Sequence, residues 1–270
     1  MIHTTEILRK FAQRVRHAPL LRSLTPLWRV MRRPYLRLIN RLGSEHGIVV
    51  AVGGIRIRLH PDFATQDWET VEFESYRAFA AMLRPGDVVY DIGGHIGTYT
   101  LVALNGIGPS GRVIAYEPHA FTRRYLEQHV RWNGGEDRTL IRRACCGAVR
   151  GRAAFYCLPE RTEGMSGLVP VEGFSQVLVD VTTLDQEVSI LEAIPTVIKI
   201  DVEGAEWEVL RGAESTLRKY HPRLALSLHP HALESVGASG GDVLGWLVQL
   251  GYGCNVVSED HEIHVIAAVP

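Results

Sequence analysis

The chain has 270 residues, of which 46% are hydrophobic and 22% are charged, and it carries a formal net charge of −1. That apolar content can bury a full core and excludes a disordered chain, while the length suits one α/β domain with additions or two small domains. The sequence has no apolar run of the roughly 18 residues that a membrane-spanning helix needs, and residues 1–17 lack the apolar centre of a signal peptide. We therefore expect a cytoplasmic protein.

The four cysteines are too few to form a disulfide scaffold in a chain of this length. They include no Cys-x-x-Cys pair, so a zinc ribbon is not expected. Cys145 and Cys146 are adjacent and cannot easily bridge each other. We expect reduced thiols that are mostly buried as small apolar groups.

Charge is distributed unevenly along the chain. Residues 1–42 contain ten arginines and lysines but only one acid, Glu6. In the rest of the chain the acidic residues therefore outnumber the basic ones. Apolar residues at helical spacing predict two helices, at 5–16 and 20–41, within a basic helical arm at 1–45. Such an arm can dock on the acidic body, contact an anionic membrane surface peripherally, or build a homodimer, and these alternatives stay open. The acidic body would repel nucleic acid, so no such partner is expected.

The pattern after the arm predicts an α/β domain at 46–270. Two alternating runs around Gly53 and Gly54 predict a β-hairpin, and a helix is predicted at 68–83. Strands and helices then alternate, which is typical of a mostly parallel sheet covered on both faces. The strands are predicted at 88–92, 112–116, 139–145, 196–200 and 224–228, the helices at 98–104, 120–132, 205–219 and 242–250, and an antiparallel hairpin at 254–258 and 262–267. Two more strand-like runs, at 153–158 and 176–182, predict a small β insertion at the sheet edge, within 146–183.

A glycine-rich turn directly after the first of these strands is the strongest chemical signal. Asp91 ends the strand, and Gly93, Gly94 and Gly97 allow a tight turn that a ligand can approach closely. The helix that follows offers free N–H groups to an anionic group. Glu117 ends the next strand, where a carboxylate can accept both hydroxyls of a ribose.

The glycine spacing indicates which nucleoside this turn binds. A dinucleotide fingerprint that starts at Gly93 requires glycine at two positions that His95 and Thr98 occupy here. The observed pattern, Asp-x-Gly-x-x-x-Gly, suits S-adenosylmethionine, which has no pyrophosphate. This argues against a nicotinamide-dependent oxidoreductase, the rival enzyme class.

A second group of polar residues follows the strand predicted at 196–200. Ligands of open α/β sheets bind outside the carboxyl ends of the strands, so Asp201 and Glu203 are expected to face the same crevice as Gly93. The two carboxylates can stabilise a sulfonium, orient an acceptor hydroxyl or take its proton. For Glu206 and Glu208, complementing the helix dipole is the simpler interpretation.

The strand predicted at 224–228 is followed by His229 and His231. A histidine at this position can act as a general base near neutral pH, although packing at a strand end is the alternative. His231 lies further into the loop and is expected to be structural. Asp201, Glu203 and His229 together also offer ligands for a divalent metal.

From about residue 68 to 268 the chain resembles the FkbM family of S-adenosylmethionine-dependent methyltransferases. The matching segments are LRPGDVVYDIGGHIGTYT, GRVIAYEPH, the Thr-Leu-Asp of VTTLDQ, VIKIDVEGAEWEVLRGA, and HPHAL followed by LGYG. The resemblance implies a seven-stranded class I (Rossmann-like) methyltransferase sheet and O-methylation of a hydroxyl on a sugar, glycan or natural product. It implies a cofactor site for S-adenosylmethionine and a small-molecule or glycan acceptor. The implied cofactor residues are Asp91, Gly93, Gly94, His95, Gly97, Glu117, Pro118 and Asp201.

Two positions depart from the family pattern. His95 stands where the family often has asparagine, which is a tolerable polar exchange. Ser227 stands where the family often has glutamate before the His-Pro pair, which argues against a metal at this end, and no metal ligand is assigned. Asp201, Glu203 and His229 are the expected catalytic residues. A non-catalytic methyltransferase-like scaffold or binding module remains the alternative function.

Overall fold

The computed structural model describes residues 45–162, 164–259 and 262–270, together with residues 34, 37, 38 and 41. The basic arm predicted at 1–45 therefore lies almost entirely outside the described residues. Within the described part of the chain, no helix is both long and apolar enough to cross a membrane.

The elements follow one another in the alternation that the sequence predicts. The strands are β1 (Ile48–Val52), β2 (Ile55–Leu59), β3 (Val88–Ile92), β4 (Arg112–Tyr116), β5 (Thr139–Arg142), β6 (Cys145–Cys146), β7 (Gly151–Cys157), β8 (Ser175–Thr182), β9 (Val197–Ile200), β10 (Arg223–Leu228), β11 (Gly253–Glu259) and β12 (Ile263–Ala268). The helices are α1 (Phe73–Met82), α2 (Thr98–Gly106), α3 (Ala120–Trp132), α4 (Leu184–Leu191), α5 (Glu206–Arg211), α6 (Glu214–Tyr220), α7 (Pro230–Ser235) and α8 (Gly240–Gln249). Short 3-10 helices occupy Pro61–Phe63 and Glu136–Arg138.

Seven strands form the central sheet, in the order β11-β12-β10-β9-β3-β4-β5. The pairs from β10 to β5 are parallel, and β12 is antiparallel to both β10 and β11. This is the class I methyltransferase-like α/β fold, so the predicted fold class is confirmed. The last strand lies inside the sheet and β11 forms its edge, because β12 pairs with β10.

Strand β9 shows how the sheet separates two apolar layers. All four of its residues are buried. Val197 packs with α1, α2, α3 and the β1–β2 hairpin, whereas Ile198 and Ile200 pack with α4 to α8 on the opposite face. Alternation along a strand sends successive side chains to opposite faces. Lys199 therefore points into the first layer, where an apolar residue would be expected.

Two predicted helices are shorter than expected. The helix predicted at 68–83 begins at Phe73, because Glu72 before it adopts a left-handed backbone with φ of 45°. The helix predicted at 205–219 is divided into α5 and α6 at Gly212, where the backbone packs directly against the backbone of Gly147.

Three further differences concern the region between β5 and β10. The strand predicted at 139–145 ends at Arg142, and residues 145–146 pair with β8 instead. The insertion forms a separate sheet, in the order β6-β8-β7, rather than an extension of the central sheet. Helices α4 and α7 were not predicted; Thr183 caps α4 by accepting a hydrogen bond from the Gln186 N–H.

The contact at Gly212 predicts a large loss of stability when a side chain is added. A Cβ there would overlap the Gly147 carbonyl oxygen, so Gly212→Ala should lower the free energy of unfolding by about 1–3 kcal/mol. The control is Gly245→Ala, in the exposed interior of α8 with open space around the new Cβ, which should raise it by about 0.5–1 kcal/mol. Urea unfolding of both variants measures the difference, and equal effects would contradict the packing described here.

Candidate active site

A cavity of about 400 Å³ lies at the carboxyl ends of β3, β4 and β9. Its walls include the glycine-rich turn after β3, Glu117 after β4, and Asp201 and Glu203 after β9. The three-stranded sheet and the segment between β7 and β8 close another side, through Phe155 and Ser166 among others. The insertion therefore forms part of the cavity wall.

At two glycines of the glycine-rich turn, other parts of the chain pack closely against the backbone. Gly93 has φ of 86°, and a Cβ there would overlap the carbonyl oxygen of Asp201. Gly97 has φ of 94°, and a Cβ there would lie 2.6 Å from Leu126 Cδ1. Gly93 and Gly94 line the cavity, whereas Gly97 packs behind it, so the third glycine serves helix packing.

Asp91 lies beneath the turn and does not line the cavity. It is 2% exposed, and its Oδ2 accepts a hydrogen bond from Thr100 Oγ1 at 2.5 Å. Burial raises the pKa of Asp91 to about 6. Asp91 therefore ties β3 to α2 beneath the turn, and its place in the cofactor site stays a prediction.

Glu117 lines the cavity and is only 6% exposed. Its two carboxylate oxygens accept hydrogen bonds from the backbone N–H of His95 at 3.0 Å and of His119 at 2.8 Å. Burial raises the pKa of Glu117 to about 8, against the opposing effect of these hydrogen bonds. The carboxylate thus joins the β3 and β4 turns, and Pro118 lines the cavity beside it.

The cavity wall also carries buried polar atoms that have no hydrogen-bond partner among the described residues. These are Nε2 of His95 and Oγ of Ser166. His95 adopts a left-handed backbone with φ of 48°, a conformation in which histidine and asparagine are over-represented, so the exchange at this position is compatible with the turn. A buried polar atom without a partner is costly, and a polar ligand in the cavity would supply one.

Lys199 holds Asp201 in place by a buried ion pair. The side chain is 1% exposed, and its ammonium donates hydrogen bonds to Asp201 Oδ2 at 3.0 Å and to Ser227 Oγ at 2.7 Å. It also lies 4.4 Å from the centre of the Tyr99 ring, in a cation–π contact. Burial opposes ionisation of Asp201, but the Lys199 ammonium and His229 hold the pKa of Asp201 below its usual range.

His229 stands among carboxylates rather than beside a single one. Its Nδ1 is 2.8 Å from Glu206 Oε1, and its Nε2 is 3.4 Å from Glu203 Oε2 and 3.8 Å from Asp201 Oδ1. Burial alone would lower the pKa of His229, but the hydrogen bond to Glu206 and the neighbouring charges raise it to about 9. Burial raises the pKa of Glu203 to about 8. The raised pKa favours the imidazolium form of His229, and its role as a general base stays a prediction.

Glu206 differs from its expected role. It lies in the first turn of α5, as a dipole-complementing acid would, but it is fully buried. Its Oε1 accepts the Gly204 N–H at 2.9 Å and faces His229. Glu208 is half exposed and pairs with Arg211, which agrees with the surface interpretation, while His231 lies exposed in α7.

The structure adds cavity residues that the sequence did not indicate. Glu72 accepts a hydrogen bond from Tyr99 Oη at 3.1 Å, and Glu262 Oε2 lies 3.3 Å from His229 Nε2. Both carboxylates line the cavity. Ser227 Oγ lies 3.1 Å from His264 Nδ1 and also accepts a hydrogen bond from Lys199. No motif marks Glu262, because it reaches the cavity only when β12 pairs beside β10.

The profile of the family described as Methyltransferase FkbM domain matches residues 91–254, more than half of the chain. The chain belongs to the FkbM methyltransferase family. Its match with a solved FkbM methyltransferase from Methylobacillus flagellatus KT has 17% identity and a TM-score of 0.49, covering 77% of this chain and 60% of that one. A precorrin-6y C5,15-methyltransferase from Geobacter metallireducens GS-15 matches with 14% identity and a TM-score of 0.49, covering 77% of this chain and 95% of that one.

The burial of Glu117 predicts a pH-dependent stability in this FkbM-family protein. Its pKa is raised on folding, so its destabilising effect is absent below the unfolded pKa near 4.5 and grows until the pH reaches about 8. Glu117→Gln removes this effect. Its free energy of unfolding, relative to the wild type, should rise by up to about 1.4 kcal/mol per pH unit across that window. Denaturant unfolding between pH 5 and 8 measures this difference, and one that stays constant with pH would contradict the assignment.

Proposed function

We propose that the protein is an S-adenosylmethionine-dependent O-methyltransferase that acts on a hydroxyl of a sugar, glycan or natural product. The proposal rests on one observation: a single cavity joins the glycine-rich turn and Glu117 at one end to Asp201 and Glu203 at the other, and His229 contacts these two carboxylates. Methyltransferases of this fold are generally dependent on S-adenosylmethionine, and the family assignment supports a transferase over a nicotinamide enzyme. The proposed catalytic domain spans 46–270, with 146–183 as its insertion.

The residues at the first end fit the proposed cofactor. Gly93 and Gly94 bring backbone to the cavity wall without a side chain, and Glu117 offers two carboxylate oxygens at the position where a ribose diol is expected. The unpartnered His95 Nε2 and Ser166 Oγ give further polar contacts. When bound, S-adenosylmethionine supplies an electrophilic methyl group on a sulfonium. We propose that Asp201 and Pro118 complete the walls of this cofactor site.

The residues at the second end suit a neutral acceptor. Asp201, Glu203, Glu72 and Glu262 all line the cavity and would repel an anionic group. Carboxylates can accept hydrogen bonds from hydroxyls and orient one of them for transfer, which is a positioning effect. Because the pKa of His229 is raised to about 9 and that of Glu203 to about 8, Asp201 is the group that stays ionised and can accept a hydrogen bond from the acceptor hydroxyl. His229 then acts by holding the carboxylates in place.

The proposed setting of the enzyme follows from the arm at 1–45. Its basic residues suit peripheral contact with an anionic membrane surface, and its apolar residues suit a homodimer contact. A glycan or glycolipid precursor as acceptor would explain a membrane-seeking arm on a cytoplasmic enzyme. A small natural product would not require one.

Cofactor binding is the first experiment. Calorimetric titration with S-adenosylhomocysteine should show micromolar binding to the wild type. Glu117→Ala should weaken it by about a hundredfold, because two hydrogen bonds to a carboxylate contribute about 1.5 kcal/mol each. The matched control is Glu127→Ala on the exposed face of α3, which should bind as the wild type does. Thermal unfolding confirms that each variant is folded.

The outcomes separate the candidate functions. Failure of folded wild-type protein to bind S-adenosylhomocysteine would overturn the cofactor assignment and favour a non-catalytic binding module. Equal weakening in both variants would remove Glu117 from the cofactor site.

Transfer to oxygen is tested separately with methyl-labelled S-adenosylmethionine and a panel of sugars, glycolipid precursors and hydroxylated natural products. An O-methyl ether survives mild alkali, whereas a methyl ester of a carboxyl group is hydrolysed. We expect alkali-stable label on a neutral acceptor. Label that alkali releases would contradict O-methylation of a hydroxyl.

A further inference from the structure

Four carboxylates from two separate parts of the chain converge on one small volume at the acceptor end of the cavity. Asp201, Glu203 and Glu206 follow β9, whereas Glu262 precedes β12. His229, at the end of β10, lies in contact distance of all four. Buried carboxylates that lie close together repel one another unless protons or cations are shared among them. The Lys199 ammonium pairs with Asp201, and the remaining three carboxylates share one imidazole.

The distances from His229 Nε2 to its carboxylate neighbours are close to those between donor atoms that share a metal ion. Around His229 Nε2, the nearest oxygens of Glu262, Glu203 and Asp201 lie at 3.3, 3.4 and 3.8 Å. Donor atoms that share an ion at about 2.1 Å are about 3.0 Å apart in an octahedron and about 3.4 Å apart in a tetrahedron. The donor atoms of Asp201, Glu203 and His229 also lie within 4.8 Å of one another. Small movements would bring them onto one ion.

The position of Glu206 is an independent indication. It is fully buried, its Oε1 contacts His229 Nδ1 at 2.8 Å, and its Oε2 has no hydrogen-bond partner among the described residues. A carboxylate on one ring nitrogen fixes the tautomer and directs the other nitrogen toward a ligand, the arrangement that surrounds metal-bound histidines. Here the other nitrogen, Nε2, points at the three remaining carboxylates.

A second group of possible ligands is Glu72, Glu262 and His264, and its Glu262 also lies 3.3 Å from His229 Nε2 of the first group. The first group is favoured because Asp201 and Glu203 are each about a quarter exposed and line the cavity, which gives an ion a path of entry. His264, in contrast, is buried, and its Nδ1 lies 3.1 Å from Ser227 Oγ.

We infer that Asp201, Glu203, His229 and Glu262 form a binding site for one first-row divalent cation, with Glu206 positioning His229. Three carboxylate donors and one imidazole suit Mn²⁺ or Fe²⁺ better than Mg²⁺, which prefers oxygen donors and retained water. Ser227 offers no carboxylate at this end, whereas the fold brings Glu262 to the cluster from the segment before β12.

Mn²⁺ binding tests this inference on the full-length protein after dialysis against a chelator. The electron paramagnetic resonance signal of free Mn²⁺ should decrease when the protein is added. The titration should give one bound ion per chain with micromolar affinity. Glu262→Gln should weaken binding by more than about tenfold. Glu259→Gln, an exposed position in the same hairpin, is the matched control and should bind as the wild type does. Glu203→Gln is a second ligand variant for the case in which Glu262→Gln does not fold.

The outcomes are distinct from those of cofactor binding, because Mn²⁺ is titrated without S-adenosylmethionine or acceptor. Absence of Mn²⁺ binding by the folded wild type overturns the inference. So does binding that both ligand variants retain, because the ion would then lie elsewhere. Weakened binding in the ligand variants but not in Glu259→Gln supports it.

Discussion

The buried ammonium of Lys199 is the group on which the Asp201 end of the cavity depends. It projects from the middle strand of the sheet into an apolar layer, where an unpaired charge would be very costly. Its contacts with Asp201, Ser227 and the Tyr99 ring offset that cost and join β9, β10 and α2. Removing one partner of such a buried pair typically costs about 3–5 kcal/mol. The position of Asp201 is thus coupled to the packing of three elements.

The opposite end of the cavity depends on steric constraint instead of charge. Gly93 lies so close to the Asp201 carbonyl that a side chain cannot be placed between them. The same turn is held to the β4 turn by Glu117, whose carboxylate accepts from the His95 N–H. The two ends of the cavity therefore share a common wall, the β3–β9 contact, and a shift of either strand would alter both.

Much of this arrangement could be predicted because it depends on local sequence. The alternation of apolar strands and amphipathic helices gave the sheet, and the spacing of Gly93, Gly94 and Gly97 placed the turn at the end of β3. Glu206 shows the limit of such inference. Its position in the first helical turn was correct, but an acid there is equally compatible with solvent exposure, and the sequence carries no sign that the side chain is buried against His229.

The sequence by itself determined the fold class, the family and the turn, because periodicity, glycine spacing and strand-end carboxylates are properties of adjacent residues. The tertiary structure alone decided the neighbours of His229. Glu262 is distant from His229 in the chain and reaches it because β12 inserts antiparallel between β10 and β11. The raised pKa of His229 follows from its contacts with the carboxylates after β9, first the hydrogen bond to Glu206 and then the charges of Asp201 and Glu203. The closing of the cavity by the β6-β8-β7 sheet likewise depends on packing between distant segments.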